Sequence, residues 1–252
     1  MTKILLSGCL GRMGKAITQI VSETENAEIV CGVDLASGNC DYPVYNEFAN
    51  VTEEADVIID FSHPSNFKAL LSFAKEKKLP VIFATTGLSE DQRAEMKQAA
   101  DDIPVFFSAN MSLGINLLIR LAKQAAVILE DKFDIEIIEK HHNRKLDAPS
   151  GTALAIADAI SESLTEQPEY VYDRHSVRKQ RAKNEIGLHA IRGGTIVGEH
   201  DVLFAGPDEL ITLSHSATSR EVFAQGAVRA AMFMCGKPKG FYSMDDLFAD
   251  MV

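Results

Sequence analysis

The chain has 252 residues, a formal net charge of -11, and ordinary proportions of hydrophobic (46%) and charged (24%) residues, so one large or two modest soluble domains are predicted. The acidic balance argues against nucleic acid as a main partner, and no apolar run approaches the length of a membrane span. The four cysteines show neither a CxxC pair nor zinc-ligand spacing, so we expect no metal and a reducing, cytoplasmic environment.

A short apolar strand over residues 3–7 opens the chain, followed by a glycine-rich turn and a helical pattern from Lys15 to about Ser22. This arrangement is typical of dinucleotide binding, because glycines let the backbone approach the pyrophosphate and the helix N-terminus faces its charge. The spacing is GxxGxxG rather than GxGxxG, so the match to the general fingerprint is partial. The expected cofactor contacts in this turn are Gly8, Cys9, Leu10, Gly11, Arg12 and Met13.

A second strand-like run, residues 28–33, ends at Asp34, twenty residues after Gly14. A carboxylate at the tip of that strand can accept hydrogen bonds from the adenosine ribose of a bound dinucleotide. A plain turn or cap role for Asp34 stays open as the alternative.

The first half continues to alternate, with strands over 56–60, 81–84 and 105–108 and helices over 64–77 and 89–100. Such alternation predicts a Rossmann-type, doubly wound parallel sheet with helices on both faces. Ligand contacts then belong at the carboxyl ends of the strands. The carboxyl ends of the first strands lie at residues 8–13, Asp34 and residues 61–62. The carboxyl ends of the next two strands are expected to bring further residues near the cofactor, namely Ala84, Thr85, Thr86, Ser108, Ala109, Asn110 and Met111.

The pattern changes after Ser112, where an apolar helix over 115–130 precedes a strand over 133–140. Four short strand-like runs follow, separated by glycine turns, near residues 187–191, 195–197, 202–204 and 210–214. Short strands with tight turns indicate an antiparallel or mixed sheet in a second, α+β domain. A final helix over 221–235 is expected to return to the first domain. The predicted domains are 1–112 with 220–252, and 113–219.

The most informative segment is residues 141–151, where His141, His142, Arg144 and Lys145 precede a predicted helix starting near Ser150. A helix N-terminus binds anions through free N–H groups and its dipole. The basic cluster beside it can hold a second anion and supply a proton near neutral pH. The alternative is a solvated basic turn with Ser150 as an ordinary helix cap. A metal site at the paired histidines is disfavoured because adjacent side chains of an extended segment point apart.

Five motifs occur in a fixed order along the chain. They are Gly8-x-x-Gly11-Arg12-Met13-Gly14, Ala84-Thr85-Thr86-Gly87, Ser108-Ala109-Asn110-Met111-Ser112, Glu139-x-His141-His142-x-x-Lys145-x-Asp147-Ala148-Pro149-Ser150-Gly151-Thr152-Ala153 and Arg192-Gly193-Gly194. Together they resemble the 4-hydroxy-tetrahydrodipicolinate reductases, also called dihydrodipicolinate reductases, of bacterial lysine and diaminopimelate synthesis. The resemblance spans essentially the whole chain, and the segment from Glu139 to Ala153 is its most specific part.

The resemblance implies hydride transfer from NADH or NADPH to a small cyclic dicarboxylate, in a homotetramer joined through the substrate domains. It assigns proton transfer to His141 and Lys145 and substrate binding to His142. Ser150, Gly151 and Thr152 would hold one substrate carboxylate, while residues 85–86 and 109–111 would line the nicotinamide. Members that favour NADPH often carry a basic residue just after the acidic residue of the second strand. Residues 35–39 contain none, so we expect NADH to be preferred here.

Two other classes of protein are alternatives to this family. Another NAD-dependent reductase of an amino-acid-derived substrate would keep the glycine loop and Asp34 but would not need the paired histidines and the helix start at Ser150. A non-catalytic NAD-sensing regulator would need a DNA-binding or partner module, and the sequence shows neither. The locally basic stretch 174–183 is interpreted as a solvated or intersubunit loop.

Overall fold

The computed structural model describes residues 1–130 and 132–251. The chain divides into two units, Met1–Leu113 with Glu221–Val252, and Gly114–Arg220. Each unit has its own sheet, so the predicted fold class, a Rossmann-type parallel sheet with a second, mixed sheet, is confirmed.

Strands and helices alternate through most of the first unit. Up to residue 107 the elements are β1 (Thr2–Ser7), α1 (Arg12–Ser22), β2 (Ala27–Val33), β3 (Val44–Tyr45), β4 (Val57–Asp60), α2 (Phe67–Lys77), β5 (Val81–Phe83), α3 (Glu90–Ala99) and β6 (Pro104–Phe107). Next come α4 (Leu113–Leu129), β7 (Asp134–His141), α5 (Gly151–Ser163), β8 (Glu169–Val171), β9 (Glu185–Arg192), β10 (Gly198–Ala205) and β11 (Leu210–Ala217). The last elements are α6 (Glu221–Met234), β12 (Gly240–Tyr242) and α7 (Met244–Met251).

The sheet of the first unit has seven parallel strands in the order β12-β6-β5-β4-β1-β2-β3. The chain adds β2 and β3 on one side of β1 and then adds β4, β5, β6 and β12 on the other. The order therefore reverses between β1 and β4, and open α/β sheets bind ligands beside the carboxyl ends of the strands at such a reversal. Gly8 follows β1 at this point and Phe61 follows β4.

Both faces of this sheet are buried, because successive side chains of a strand point to opposite faces. In β1, Ile4 and Leu6 belong to the core that includes α1, α6 and α7, whereas Leu5 belongs to the core that includes α2 and α3. Helix α6 thus packs on the first sheet, although it follows the second unit in the chain.

The second sheet has five strands in the order β11-β10-β7-β9-β8, with β7, β9 and β8 parallel and β10 and β11 antiparallel to their neighbours. One face of β7 begins with Ile135 and Ile137, which pack in a core with Ile156 and Ile160 of α5. The same alternation then brings Glu139 and His141 to that face at the carboxyl end of the strand. A polar site is thereby built at the end of an apolar core.

The strand predicted over 195–197 is wrong, because these residues belong to the turn between β9 and β10. The backbone of this turn is hydrogen-bonded to the end of β7 and the residues just after it. Gly193 N–H donates to His141 O at 2.9 Å, and Asn143 N–H donates to Gly194 O at 3.3 Å. Gly194 also has a φ of +48°, a turn conformation that favours glycine. The hydrophobic residues Ile196 and Val197 gave the misleading strand signal.

The basic stretch 174–183 is paired with carboxylates of its own unit. Arg174 lies 2.6 Å from Glu136 and 2.7 Å from Glu185, and Arg181 lies 2.8 Å from Asp134 and 3.0 Å from Glu136. These ion pairs neutralise charges that a nucleic-acid site would need to leave free. In the described part of the chain, no helix is both long and apolar enough to cross a membrane.

Candidate functional site

The glycine turn after β1 is tightly packed against its neighbours. Gly8 has a φ of +81° and its N–H donates to Val33 O at 2.8 Å, which ties the turn to the end of β2. A Cβ at Gly14 would lie 2.3 Å from Gly8 O, so no larger residue fits there. Gly11 is the N-cap of α1 and has no side chain to bond the first N–H groups of the helix. These N–H groups can therefore receive an anion.

Asp34 lies directly beside this turn. Its Oδ2 accepts a hydrogen bond from Leu10 N–H at 2.9 Å, and its Oδ1 accepts one from Ala36 N–H at 3.0 Å. A carboxylate has about four acceptor positions, so two are left for ribose hydroxyls. Arg12 is exposed at the start of α1, in the same turn.

Cys9 faces the protein interior. A Cβ on Gly32 would lie only 2.5 Å from Cys9 Sγ, so the thiol packs against this glycine. Burial raises the pKa of the thiol to about 12. The thiol is thus protonated and turned away from any ligand in the turn, and Cys9 can contribute only its backbone.

At the end of β5, Thr85 and Thr86 differ in orientation. The Thr85 hydroxyl lies 2.6 Å from Asp60 Oδ2 and 3.1 Å from Ser62 O, and the side chain is buried, so it ties the ends of β4 and β5 together. Thr86 is exposed. Thr86 and the backbone of Ala84 and Thr85 are therefore the groups of this segment available to a ligand.

The segment after β6 forms a small self-bonded turn. Ser108 Oγ donates to Asn110 O at 2.7 Å, and Asn110 Oδ1 accepts from Ser112 N–H at 2.9 Å. Met111 is buried, and its carbonyl oxygen would lie 1.7 Å from a Cβ on Gly226 of α6. The close approach of α6 fixes this turn and leaves Ala109 exposed.

In the second unit, the centre of the site is Glu139, whose side chain is completely buried. Its Oε2 lies 2.6 Å from His141 Nδ1 and 2.7 Å from Arg192 Nη1, and its Oε1 accepts from Arg192 Nη2 at 2.7 Å and from Ser150 N–H at 2.9 Å. Burial alone would raise the pKa of Glu139, but the hydrogen bonds from Arg192, His141 and Ser150 outweigh it and lower that pKa. A charged carboxylate thus joins the proposed proton donor to the start of α5.

Ser150 is the N-cap of α5, and its Oγ accepts a hydrogen bond from Ala153 N–H at 3.1 Å. The same Oγ lies 3.1 Å from Nε2 of His200, a buried residue of β10. The His200 ring also packs edge-on against the His141 ring, with centroids 5.3 Å apart. Burial and the charge of His141 lower the pKa of His200 to about 4, so this ring is neutral near pH 7.

Lys145 is held at the mouth of the same site by Asp147, with 2.9 Å between Nζ and Oδ1. The hydrogen bond from Lys145 lowers the pKa of Asp147, and the Gly151 N–H at the start of α5 contributes in the same direction. The exposed carboxylate of Asp147 therefore lies between the ammonium and the N-terminus of α5.

His142 lies in a positive environment. Burial comes first among the causes that lower its pKa, and the charges of Arg144 and Arg220 come next. Its Nδ1 is shielded and makes no hydrogen bond to described protein atoms. The environment suits a neutral imidazole that binds an anionic ligand. Among the described residues, no group of three or more His, Cys, Asp or Glu side chains is placed to hold a metal ion.

The predicted site residues fall into two sets. The first unit contains the predicted cofactor-binding residues, in segments 8–13, 84–86 and 108–111 and at Asp34. The second unit contains the predicted catalytic and substrate-binding residues, in segment 141–152. The sequence assigned no role to Glu139, Arg192 or His200. A signal existed for the first two, because both stand in the motifs that carried the family resemblance. None existed for His200, which reaches the site only through the pairing of β10 with β7.

A Rossmann-type sheet with a glycine turn at its reversal point and an acidic residue after the second strand defines the class of pyridine-nucleotide-dependent oxidoreductases. The family models agree: "Dihydrodipicolinate reductase, N-terminus" matches residues 2–111 and "Dihydrodipicolinate reductase, C-terminus" matches residues 114–248. The chain therefore belongs to the dihydrodipicolinate reductase family.

Relatives named 4-hydroxy-tetrahydrodipicolinate reductase match nearly the full length. The protein of Caldanaerobacter subterraneus subsp. tengcongensis is 56% identical over 98% of both chains, and that of Clostridium tetani is 51% identical over 97% of this chain and 96% of its own. The solved structure of a dipicolinate-bound dihydrodipicolinate reductase from Paenisporosarcina sp. TG-14 has the same fold, with a TM-score of 0.81, 24% identity, and coverage of 96% of this chain and 97% of that one.

Proposed function

We propose that this chain reduces 4-hydroxy-tetrahydrodipicolinate to tetrahydrodipicolinate in diaminopimelate and lysine synthesis, with hydride from a reduced nicotinamide dinucleotide. The observation that carries the proposal is the cluster at the end of β7. There, one buried carboxylate, Glu139, joins the His141 imidazole, the Arg192 guanidinium and the N-terminus of α5. The Lys145 ammonium lies beside the same helix N-terminus, paired with Asp147. A small dianionic substrate needs this combination of anion binding and proton supply.

In the first unit, the turn at residues 8–13 would bind the pyrophosphate and Asp34 the adenosine ribose. The turn suits such a group, because Gly11 leaves the first N–H groups of α1 without a side-chain cap. When bound, the cofactor supplies the hydride. Residues 85–86 and 109–111 would line the nicotinamide, mostly through backbone atoms, since the side chains of Thr85 and Met111 are buried.

In the second unit, the first N–H groups of α5, at Gly151 and Thr152 after Ser150, would hold one substrate carboxylate as an orientation clamp. The ammonium of Lys145 would turn from Asp147 to the substrate and stabilise negative charge there. His142 would bind substrate from the positive side of the site. Loss of the 4-hydroxyl group as water gives an unsaturated imine conjugated with a carboxylate. Hydride addition to this imine leaves an electron-rich enamine, and His141 or Lys145 would give the enamine a proton.

We infer a preference for NADH over NADPH from Asp34, since a 2′-phosphate would set negative charge against its carboxylate. Residues 35–39, which follow Asp34, include no cation to compensate. We also infer a homotetramer in the cytoplasm, joined through the second units. Support comes from β11, an edge strand that pairs with β10 on one side and exposes Leu210 and Ile211.

The function is tested by following the NADH absorbance band while the purified protein meets the freshly made condensation product of pyruvate and aspartate semialdehyde. We expect rapid loss of the band that requires both the enzyme and the condensation product. The control omits pyruvate, so that aspartate semialdehyde alone is present. Loss in that control, or no loss in the complete mixture with either NADH or NADPH, would contradict the proposal.

A further inference from the structure

We propose that Glu139 is the positioning residue of the proton donor: it holds the neutral His141 ring in the tautomer protonated at Nδ1, so that Nε2 is the atom that exchanges the proton in the reaction. This inference rests on the proposed function for the identity of the reaction. The tautomer itself, however, is a property of the folded protein and does not depend on turnover.

The tautomer follows from the hydrogen bonds of the Glu139 carboxylate. Three of its four partners, Arg192 Nη1, Arg192 Nη2 and Ser150 N–H, can only donate, so both carboxylate oxygens act as acceptors. The fourth partner, His141 Nδ1, lies 2.6 Å from Oε2. Two acceptors at that separation would repel each other, so Nδ1 carries a proton and donates it. In the neutral ring, Nε2 is then the free base.

The other end of the ring is shaped by Gly198, the first residue of β10. A Cβ at this position would lie 3.1 Å from His141 Nε2. Gly198 lies in strand β10 and does not have a positive φ, so its backbone conformation would tolerate alanine. Gly198 therefore leaves space beside His141 Nε2, the ring nitrogen that does not contact Glu139.

Two further contacts restrict the His141 ring and the Glu139 carboxylate to one orientation. The His200 ring packs edge-on against the His141 ring, which limits rotation of its plane. The Ser150 N–H bond ties the same carboxylate to the start of α5. Glu139 thus sets the distance between the proton carrier and the proposed carboxylate clamp, in addition to choosing the nitrogen. A misplacement of about 1 Å in such an arrangement costs roughly 10²-fold in rate.

The first test is nuclear magnetic resonance of the protein labelled with ¹⁵N-histidine, with His141 assigned by the signal lost in His141→Gln. At a pH above the titration of the ring, we expect a directly bonded proton at Nδ1 and the chemical shift of an unprotonated nitrogen at Nε2. The reverse tautomer in the wild type would overturn the proposal. This result stands whether or not the protein reduces the proposed substrate, so the two failures are distinguishable.

The second test uses Glu139→Gln and a matched control, Glu136→Gln. Glu136 lies on the same strand and also pairs with a histidine and two arginines, His189, Arg174 and Arg181. We expect Glu139→Gln to lower kcat at least about 10-fold, because the ring loses the carboxylate that fixes its tautomer, with the KM for NADH unchanged. Glu136→Gln should leave kcat near the wild-type value.

Equal losses of kcat in the two variants would show that Glu139 is a structural ion-pair partner only and would overturn the proposal. If Glu139→Gln does not fold, Gly198→Ala takes its place. That variant keeps the Nδ1–H tautomer but displaces the ring at Nε2 by a few tenths of an ångström, so we expect kcat to fall about 3-fold or more. Unchanged kcat in Gly198→Ala would show that Nε2 is not the working atom.

Discussion

At the scale of single residues, the proposed preference for NADH rests on Asp34. Its carboxylate is fixed by Leu10 N–H and Ala36 N–H and so cannot turn away from a 2′-phosphate without losing both bonds. Repulsion and lost hydrogen bonds of this kind are worth about 1–3 kcal/mol, which predicts a kcat/KM for NADH roughly 10- to 100-fold above that for NADPH. Asp34→Ser should bring the ratio towards one.

The measurement is kcat/KM with both cofactors for the wild type and Asp34→Ser. The KM for the dicarboxylate substrate serves as the control, because Asp34 belongs to the first unit. Arg12, in the same turn, can soften the preference by attracting the phosphate. A wild type that favours NADPH, or a ratio that Asp34→Ser does not change, would show that Asp34 does not contact the ribose.

The residues of the candidate site were easier to predict from the sequence than the directions in which their side chains point. The types and spacing of His141, Lys145 and Ser150 are enough to indicate anion binding and proton supply, because these depend on chemistry that is local in the chain. The inward orientations of Cys9 and Thr85 depend on Gly32 and Asp60, which the fold brings near from other strands. No local pattern in the sequence encodes such a contact.

At the scale of elements, His200 makes the second sheet sensitive to acid. Its folded-state pKa of about 4 lies below the unfolded value, so the unfolded chain binds more protons between these values, and stability is lost as pH falls through that window. The loss between pH 7 and pH 4 is about 3 kcal/mol. The groups around this ring, namely His141, Glu139, His215 and Lys145, influence the same titration.

Urea unfolding between pH 4 and pH 7 measures this dependence, with His200→Gln as the comparison. We expect the variant to have a shallower slope of unfolding free energy against pH, because one of the groups that titrate on unfolding has been removed. Equal slopes for the wild type and the variant would mean that His200 is not held neutral in the folded protein.

Most elements were predictable because period and capping signals are strong in them. The helix predicted over 89–100, for example, corresponds to α3, which begins with a capping box formed by Ser89 and Gln92. The strand expected over 195–197 failed because apolar residues also occur in turns that dock on a neighbouring strand. The short strands β3, β8 and β12 were missed, since two or three residues give no periodicity and their pairing is set by distant partners.

At the scale of the whole molecule, the proposed tetramer is testable directly. The edge strand β11 exposes apolar side chains, and such edges invite pairing with another copy of the chain. We expect light scattering at micromolar concentration to give four times the chain mass of 27.6 kDa. Replacing both Leu210 and Ile211 with lysine should shift the mass towards smaller species. A monomeric wild type at that concentration would remove this part of the account.

The central claim is that the basic cluster after β7 performs the chemistry, and the most direct measurement is kcat of Lys145→Ala at saturating NADH. We expect a loss of about 10²-fold or more, since the ammonium stabilises charge that develops in the reaction, with NADH binding retained. Lys75→Ala, which removes a lysine paired with Asp102 in the first unit, is the matched control and should keep wild-type turnover. Turnover of Lys145→Ala near the wild-type rate would contradict the account.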